Sequence, residues 1–209
     1  PILEVQSYRS AVPKDEELLL EYFQDKEGFH LLLYPFEGRY VHEGLASLVG
    51  YRIGQQQPIS FSIAMNDYGF ELLSDLPLDF EAGDIRQWLS KENLSRDLQS
   101  AVNATEMAKR KFRDIASISG LVFKGYPGKP KKDKHLQSSA QLFFEVFSDY
   151  DSNHLLLTQA YEEVMIFQLQ EERLRKALER MSQQKLKITL PSKATPFSFP
   201  IVVDRLRES

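Results

Sequence analysis

FHLLLYPFEGRYVHEGLASLVGYRIGQQ, residues Phe29–Gln56, decides the fold class. Its opening run, Phe29 to Phe36, is apolar and closed by Pro35 and Gly38, short enough for a buried strand. Val41, Leu45, Leu48, Val49 and Ile53 then recur at helical spacing, which predicts an amphipathic helix from Tyr40 to Gln56, halted by the glutamine run and Pro58. Downstream, Ile59–Met65 and Phe70–Ser74 read as strands joined through Asn66, Asp67, Tyr68 and Gly69, a connection that tolerates the dihedrals of a hairpin. Strand, helix and hairpin in succession predict an α+β fold whose antiparallel sheet could curl into a barrel.

On the N-terminal side, Leu3–Tyr8 alternates like a strand and Asp15–Lys26 reads as a short helix carrying Leu18, Leu19, Tyr22 and Phe23. On the C-terminal side, Asp84–Ser90 is a short predicted helix holding Trp88. A long one follows from Lys91 to Ile118, with its stripe at Leu94, Leu98, Val102, Thr105, Ala108, Phe112 and Ile115. Three Gly and two Pro in Gly120–Lys134, GLVFKGYPGKPKKDK, predict a loop. Helical pattern returns over Leu136–Phe147 and Leu155–Gln184, and KLKITL and FSFPIVV read as closing strands, the second at a sheet edge because of Pro200. Taken together, 1–209 is expected to be one domain with several helices, two of them long, and a flexible basic loop at about 120–134.

The absence of Cys removes disulfides, thiolate metal sites and Cys nucleophiles together. No apolar run approaches the roughly 18 residues of a spanning helix, and PILEVQSYRS lacks the layout of a signal peptide, so a cytoplasmic protein is expected. The net charge of −4 argues against a nucleic-acid binder until its distribution is followed. Between Lys109 and Lys134 nine Lys or Arg stand against Asp114 and Asp133, so this window carries +7 and the remainder −11. Lys109, Arg110, Lys111 and Arg113 close a predicted helix, where cations also meet the dipole favourably. Lys124, Lys129, Lys131, Lys132 and Lys134, interleaved with Phe123 and Tyr126, offer point charges for phosphates and rings for bases. The bland alternative is a solvated loop whose lysines touch nothing.

Other constellations fail on chemistry. FKGYPGKP, residues 123–130, sets Gly128 beside Lys129 as a phosphate loop does, but Phe123 stands where the first Gly is needed and Pro130 replaces the magnesium-ligating hydroxyl. His42-Glu43 opens a zinc-protease motif whose second His would fall at Ala46, so His42 reads as a packing histidine and no metal site is predicted. Arg39, beside Glu37, Glu43 and Asp67, is expected to form an internal ion pair. Asp67 and Glu71 read as a surface hairpin, and Trp88 with Phe143, Phe144 and Phe147 as core. No nuclease or hydrolase constellation is present.

LYPFEGRYVHEGL (residues 33–45) and NDYGFELL (66–73) resemble the C-terminal domain associated with DEAD/H helicases of the Lhr, or large helicase-related, type, most closely the ligase-associated DEXH-box branch. KFRDIASISGLVFKGYPGKPK (111–131), KHLQSSAQLFFEVF (134–147) and ATPFSFPIVVDRLR (194–207) agree in the family's order. The resemblance implies a parent that moves along single-stranded DNA with ATP and Mg, its motor domains lying upstream in the same polypeptide, and partners that include DNA ligase and other repair proteins. Neither a Walker loop nor a DEXH box occurs here, so the chain alone is not expected to hydrolyse ATP. Two roles remain open: an accessory domain that helps hold a single strand through Lys109, Arg110, Arg113 and the basic loop, or a protein-docking domain that touches DNA little.

Overall fold

The computed structural model describes residues 2–123, 125, 126, 129, 130, 133–168 and 170–208; at 102–104, 125, 126, 129, 130, 133–137, 167, 168 and 206–208 it describes the backbone alone. The chain runs through α1 (Ile2–Arg9), β1 (Glu17–Gln24), β2 (Phe29–Tyr34), α2 (Arg39–Gln56), β3 (Ser62–Met65), β4 (Phe70–Ser74), α3 (Ala82–Trp88) and α4 (Leu94–Ser100). It continues through α5 (Val102–Ile118), the short strands β5 (Gly125–Tyr126) and β6 (Lys129–Pro130), α6 (Asp133–Tyr150), α7 (Leu155–Glu163) and a π-helical turn, Val164–Gln168. The last elements are α8 (Glu171–Gln183), β7 (Lys185–Thr189) and α9 (Ser198–Glu208). Residues 1–98 and 169–209 form one compact unit and 99–168 another.

The first unit is built on an open five-stranded sheet in the order β3-β4-β2-β1-β7. All neighbouring pairs are antiparallel except β1 and β7, which run parallel. The α+β class therefore holds, with an open sheet in place of a closed barrel. Leu19, Phe23, Leu32, Tyr34 and Ala64 form one face and pack with Ile201 of α9. The opposite face carries Leu20, Leu31, Leu33 and Leu72 under α2, against which α8 packs. Burial on both faces is why β1 reads ELLLEYFQ without polar alternation. The same lack of alternation made Asp15–Lys26 look helical.

Four further sequence expectations need correction. Leu3–Tyr8 lies in helix α1, which turns only Gln6 fully inward; the Gln6 Nε2 group donates to Ala11 O at 3.0 Å and Glu21 Oε1 at 2.8 Å. FSFPIVV starts helix α9. Thr195 and Ser198 cap it reciprocally, and Pro200 is tolerated because the first turn leaves its N–H unbonded anyway. The single helix expected from Lys91 to Ile118 is two, α4 and α5, parted at Ala101, whose backbone is extended. The Leu155–Gln184 stretch is likewise divided: the π-helical turn precedes Gln170, which takes the left-handed conformation with φ 48° before α8 begins.

In the second unit α5 buries Ala108, Phe112, Ile115 and Ala116. Phe112 meets Phe144 and Phe147 of α6 edge-on at 5.5 and 6.0 Å. Trp88, in the first unit, is buried too, its Nε1–H donating to Gln56 Oε1 at 2.9 Å. Trp88 and Phe144 are core, as their helical spacing predicts, whereas Phe143 and Phe147 are only partly buried at its edge.

Candidate nucleic-acid interface

Glu106, Lys109, Arg110 and Arg113 fall at positions i, i+3, i+4 and i+7 of α5, so they share one face of the helix opposite its buried stripe. With Ala140 and Gln141 of α6 they line a shallow cavity of about 340 Å³. The structure thus brings together three of the predicted site residues, Lys109, Arg110 and Arg113. Lys109 pairs with Glu106 at 3.0 Å, and Lys111, off this face, with Glu163 at 3.6 Å. Among the described residues Arg110 and Arg113 are solvent-exposed and form no ion pair.

Phe123 is half exposed and follows Val122, which is buried and donates its N–H to Ala116 O at 2.9 Å. Beyond it, part of the stretch expected as a loop pairs as a hairpin, with Gly125 opposite Pro130 and Tyr126 opposite Lys129. Lys124, Lys131 and Lys132 lie outside the described residues, as do the side chains of Tyr126, Lys129 and Lys134. The expectation of a flexible loop at 120–134 falls largely on the same positions.

The two stretches that carry the family resemblance meet at one end of the sheet. His42, fully buried in the first turns of α2, donates from Nδ1 to Asn66 O at 2.6 Å and accepts the Glu37 N–H on Nε2 at 3.1 Å. That pattern requires the neutral ring, and burial pushes its pKa down accordingly. Phe36 N–H reaches Tyr68 O at 3.1 Å, and Arg39 N–H reaches Asp67 Oδ1 at 3.4 Å. Glu37, a candidate partner for Arg39, pairs with Arg180 of α8 at 3.0 Å. His42 is therefore a packing histidine that couples two turns.

A buried polar network escaped the sequence reading. Glu21, fully buried on the sheet, accepts from Gln6, from the Tyr34 hydroxyl at 2.8 Å and from Thr195 Oγ1 at 2.8 Å. Burial, followed by the Glu21 charge, holds the Tyr34 hydroxyl well above the usual phenol range. Nearby, Glu71 is also fully buried, which corrects its reading as a surface carboxylate: it accepts from His30 Nδ1 at 2.7 Å and from Arg205 Nε at 2.8 Å. His30 Nε2 faces Asp25 at 2.8 Å, and Arg205 also pairs with Glu27. Burial pulls the His30 pKa down, but hydrogen bonds to Glu71 and Asp25 outweigh it and raise the value. Asp25, Glu27 and His30 bring potential ligand atoms within 4.8 Å of one another. Both ring nitrogens already face carboxylates, so the group reads as an ion cluster centred on an imidazolium. In sequence its members are scattered from 25 to 205, and only the strand register assembles them.

No helix among the described residues is long and apolar enough to cross a membrane. The family model described as DEAD/H associated matches residues 12–198. The chain is 26% identical over 194 residues to the ATP-dependent helicase Lhr-Core protein 2 of Thermococcus barophilus, covering 93% of this chain and 22% of that protein. It is 24% identical over 202 residues to the ATP-dependent helicase Lhr-Core of Methanocaldococcus jannaschii, covering 96% and 24%. Among solved structures, that of Mycobacterium smegmatis helicase Lhr bound to ssDNA and AMP-PNP superposes with a TM-score of 0.73 at 20% identity, over 95% of this chain and 26% of that one. The chain therefore spans about a quarter of the length of these proteins. With the family match running through both compact units, the chain belongs to the DEAD/H associated family.

Proposed function

We propose that this chain is an accessory domain of an Lhr-type, ATP-dependent DEXH-box DNA helicase and helps hold the translocated single strand through the basic face of α5. The observation that carries the reading is the exposure of Arg110 and Arg113 beside Lys109 on one helical face, without ion pairs among the described residues, in a chain that is otherwise acidic. Uncommitted guanidinium groups match phosphate oxygens in both geometry and charge. The helicase descriptions of the relatives, and the single-stranded DNA bound to the Mycobacterium smegmatis protein, support this parent and this ligand. ATP and Mg would bind in the parent's upstream motor domains. In this reading, DNA ligase and other repair enzymes are the parent's partners, as the resemblance to the ligase-associated branch suggests.

The test is the salt dependence of single-strand affinity for the chain and for an Arg110→Ser/Arg113→Ser variant. Losing two phosphate contacts lowers the magnitude of the slope of log K against log salt by about 1.4. An unchanged slope in a folded variant would remove α5 from the interface.

A second reading, a protein-docking domain, has its own support. Leu142, Val146 and Tyr150 of α6, spaced i, i+4 and i+8, form an apolar stripe that is exposed on this chain. Under that reading, changing Leu142 and Val146 to Ser would release a protein partner and leave strand affinity intact.

A further inference from the structure

Phe36 is half exposed, at 48%, and its backbone lies in the left-handed region with φ 58°. A bulky side chain adopts that conformation only when its surroundings enforce it, and such strain concentrates at functional positions. The enforcement is visible here. Phe36 N–H is held by Tyr68 O, Glu37 N–H by the buried His42 ring, and Pro35 O by Arg180 at 2.6 Å. On the facing hairpin, Asn66 Oδ1 accepts the N–H groups of Tyr68 and Gly69 at 2.9 and 3.1 Å. Gly69 has no room for a Cβ, which would lie 2.4 Å from Leu33 O. This rigid support presents Tyr68, 63% exposed, edge-on to Phe36 at a centroid distance of 6.3 Å. Tyr40, 64% exposed, follows at the start of α2.

We infer that Phe36 and Tyr68 form a stacking site for the bases of a single-stranded nucleic acid, with Tyr40, exposed at the start of α2, as the next ring along the chain. An entire aromatic side chain buries about 150–250 Å², so three rings half to two-thirds exposed offer at most a few hundred Å². A specific protein interface takes roughly 800 Å² from each partner. The neighbouring Glu37, Arg39, Asp67 and Arg180 are charged, and the half-buried Phe197, edge-on to Phe36 at 6.4 Å, adds only part of one more ring to the apolar area. A base needs only one open ring face, and stacking tolerates any sequence because every base has one. Rigid support suits this task, since a ring already fixed in place loses little freedom when a base settles on it.

The inference rests on the strand-holding reading and is tested separately from it. The full chain would be bound to an oligothymidylate carrying 5-iodouracil, irradiated at long wavelength, and the crosslinked residues mapped by mass spectrometry. Crosslinks are expected at Phe36, Tyr40 or Tyr68. Phe36→Leu and Tyr68→Leu, which keep apolar bulk but remove the ring, should each lower affinity about fivefold to a hundredfold with the salt slope unchanged. If Phe36→Leu fails to fold, Tyr40→Leu and Tyr68→Leu, at more exposed positions, carry the comparison. Crosslinks that map only elsewhere, or leucine variants that bind as tightly as the parent, overturn the stacking site. In those cases the phosphate contacts of α5 stand or fall on their own salt slope, and the rings are left to a polypeptide partner. A chain with no measurable single-strand affinity overturns both readings.

Discussion

Replacing Arg205 by Met tests whether the ion cluster around Glu71 holds α9 to the sheet. Glu71 is fully buried, and among the described residues its two carboxylate oxygens have one partner each: His30 Nδ1 at 2.7 Å and Arg205 Nε at 2.8 Å. Removing Arg205 leaves one oxygen without its donor and withdraws one of the two cations beside a buried negative charge. Breaking a buried pair in this way costs about 3–5 kcal/mol, because the remaining charge is neither solvated nor paired. Arg205 keeps 14% of its side-chain surface exposed, so some water reaches the gap and the lower figure is the better one. For a chain of this size about 3 kcal/mol corresponds to a fall in Tm on the order of 6–12 °C. Calorimetry and urea titration of the parent, Arg205→Met, Glu71→Gln and the double variant complete the cycle. In the double variant the buried charge is gone together with its partner, so it should recover part of the loss, and the coupling energy should exceed about 1 kcal/mol. A fall in Tm below about 2 °C for Arg205→Met, or a double variant as unstable as the two single losses added, would refute the reasoning.

The two buried histidines should shape stability against pH with opposite signs. His30 has a raised pKa, so its contribution is complete below its ordinary value of 6.5 and is lost as pH rises through the raised value. His42 has a lowered pKa, so its contribution is present above 6.5 and is lost as pH falls through the lowered value. Urea midpoints should therefore decline on both sides, and His42→Gln should flatten the acid side alone; a parent with no acid-side decline would contradict this. Changing Lys129, Lys131, Lys132 and Lys134 to Ala should reduce the magnitude of the single-strand salt slope by about 1.5–3, with little dependence on base sequence. An unchanged slope would make that segment a solvated face. At the glycines, Gly69→Ala should destabilise by about 1–3 kcal/mol, since its Cβ would meet Leu33 O at 2.4 Å and Tyr34 Cδ1 at 2.8 Å. Gly83→Ala, inside α3 with nothing within 4 Å, should stabilise by up to about 1 kcal/mol. Equal unfolding midpoints for these two variants would contradict the packing around the hairpin.

Local pattern by itself determined α2 and the helical character of α5 and α6, where apolar residues recur at helical spacing, and β2 and the β3–β4 hairpin, where short apolar runs are bounded by turn residues. It also located the charge polarity that marks α5. Tertiary structure decided the rest. β1 is a strand because it is buried from both sides, which erases the alternation that identifies strands. α1 is a helix that carries Gln6 into the sheet's polar network, a long-range contact that the local pattern of Leu3–Tyr8 does not register. α9 is a helix because Thr195 and Ser198 cap it, and its β-branched residues pack as well on a helix as on a strand. The ion cluster of His30, Glu71 and Arg205 and the tip formed by Phe36 and Tyr68 join residues up to 175 positions apart. Sequence spacing carries no information about such neighbours: their partners are set by strand register and helix docking, which exist only once the chain has folded.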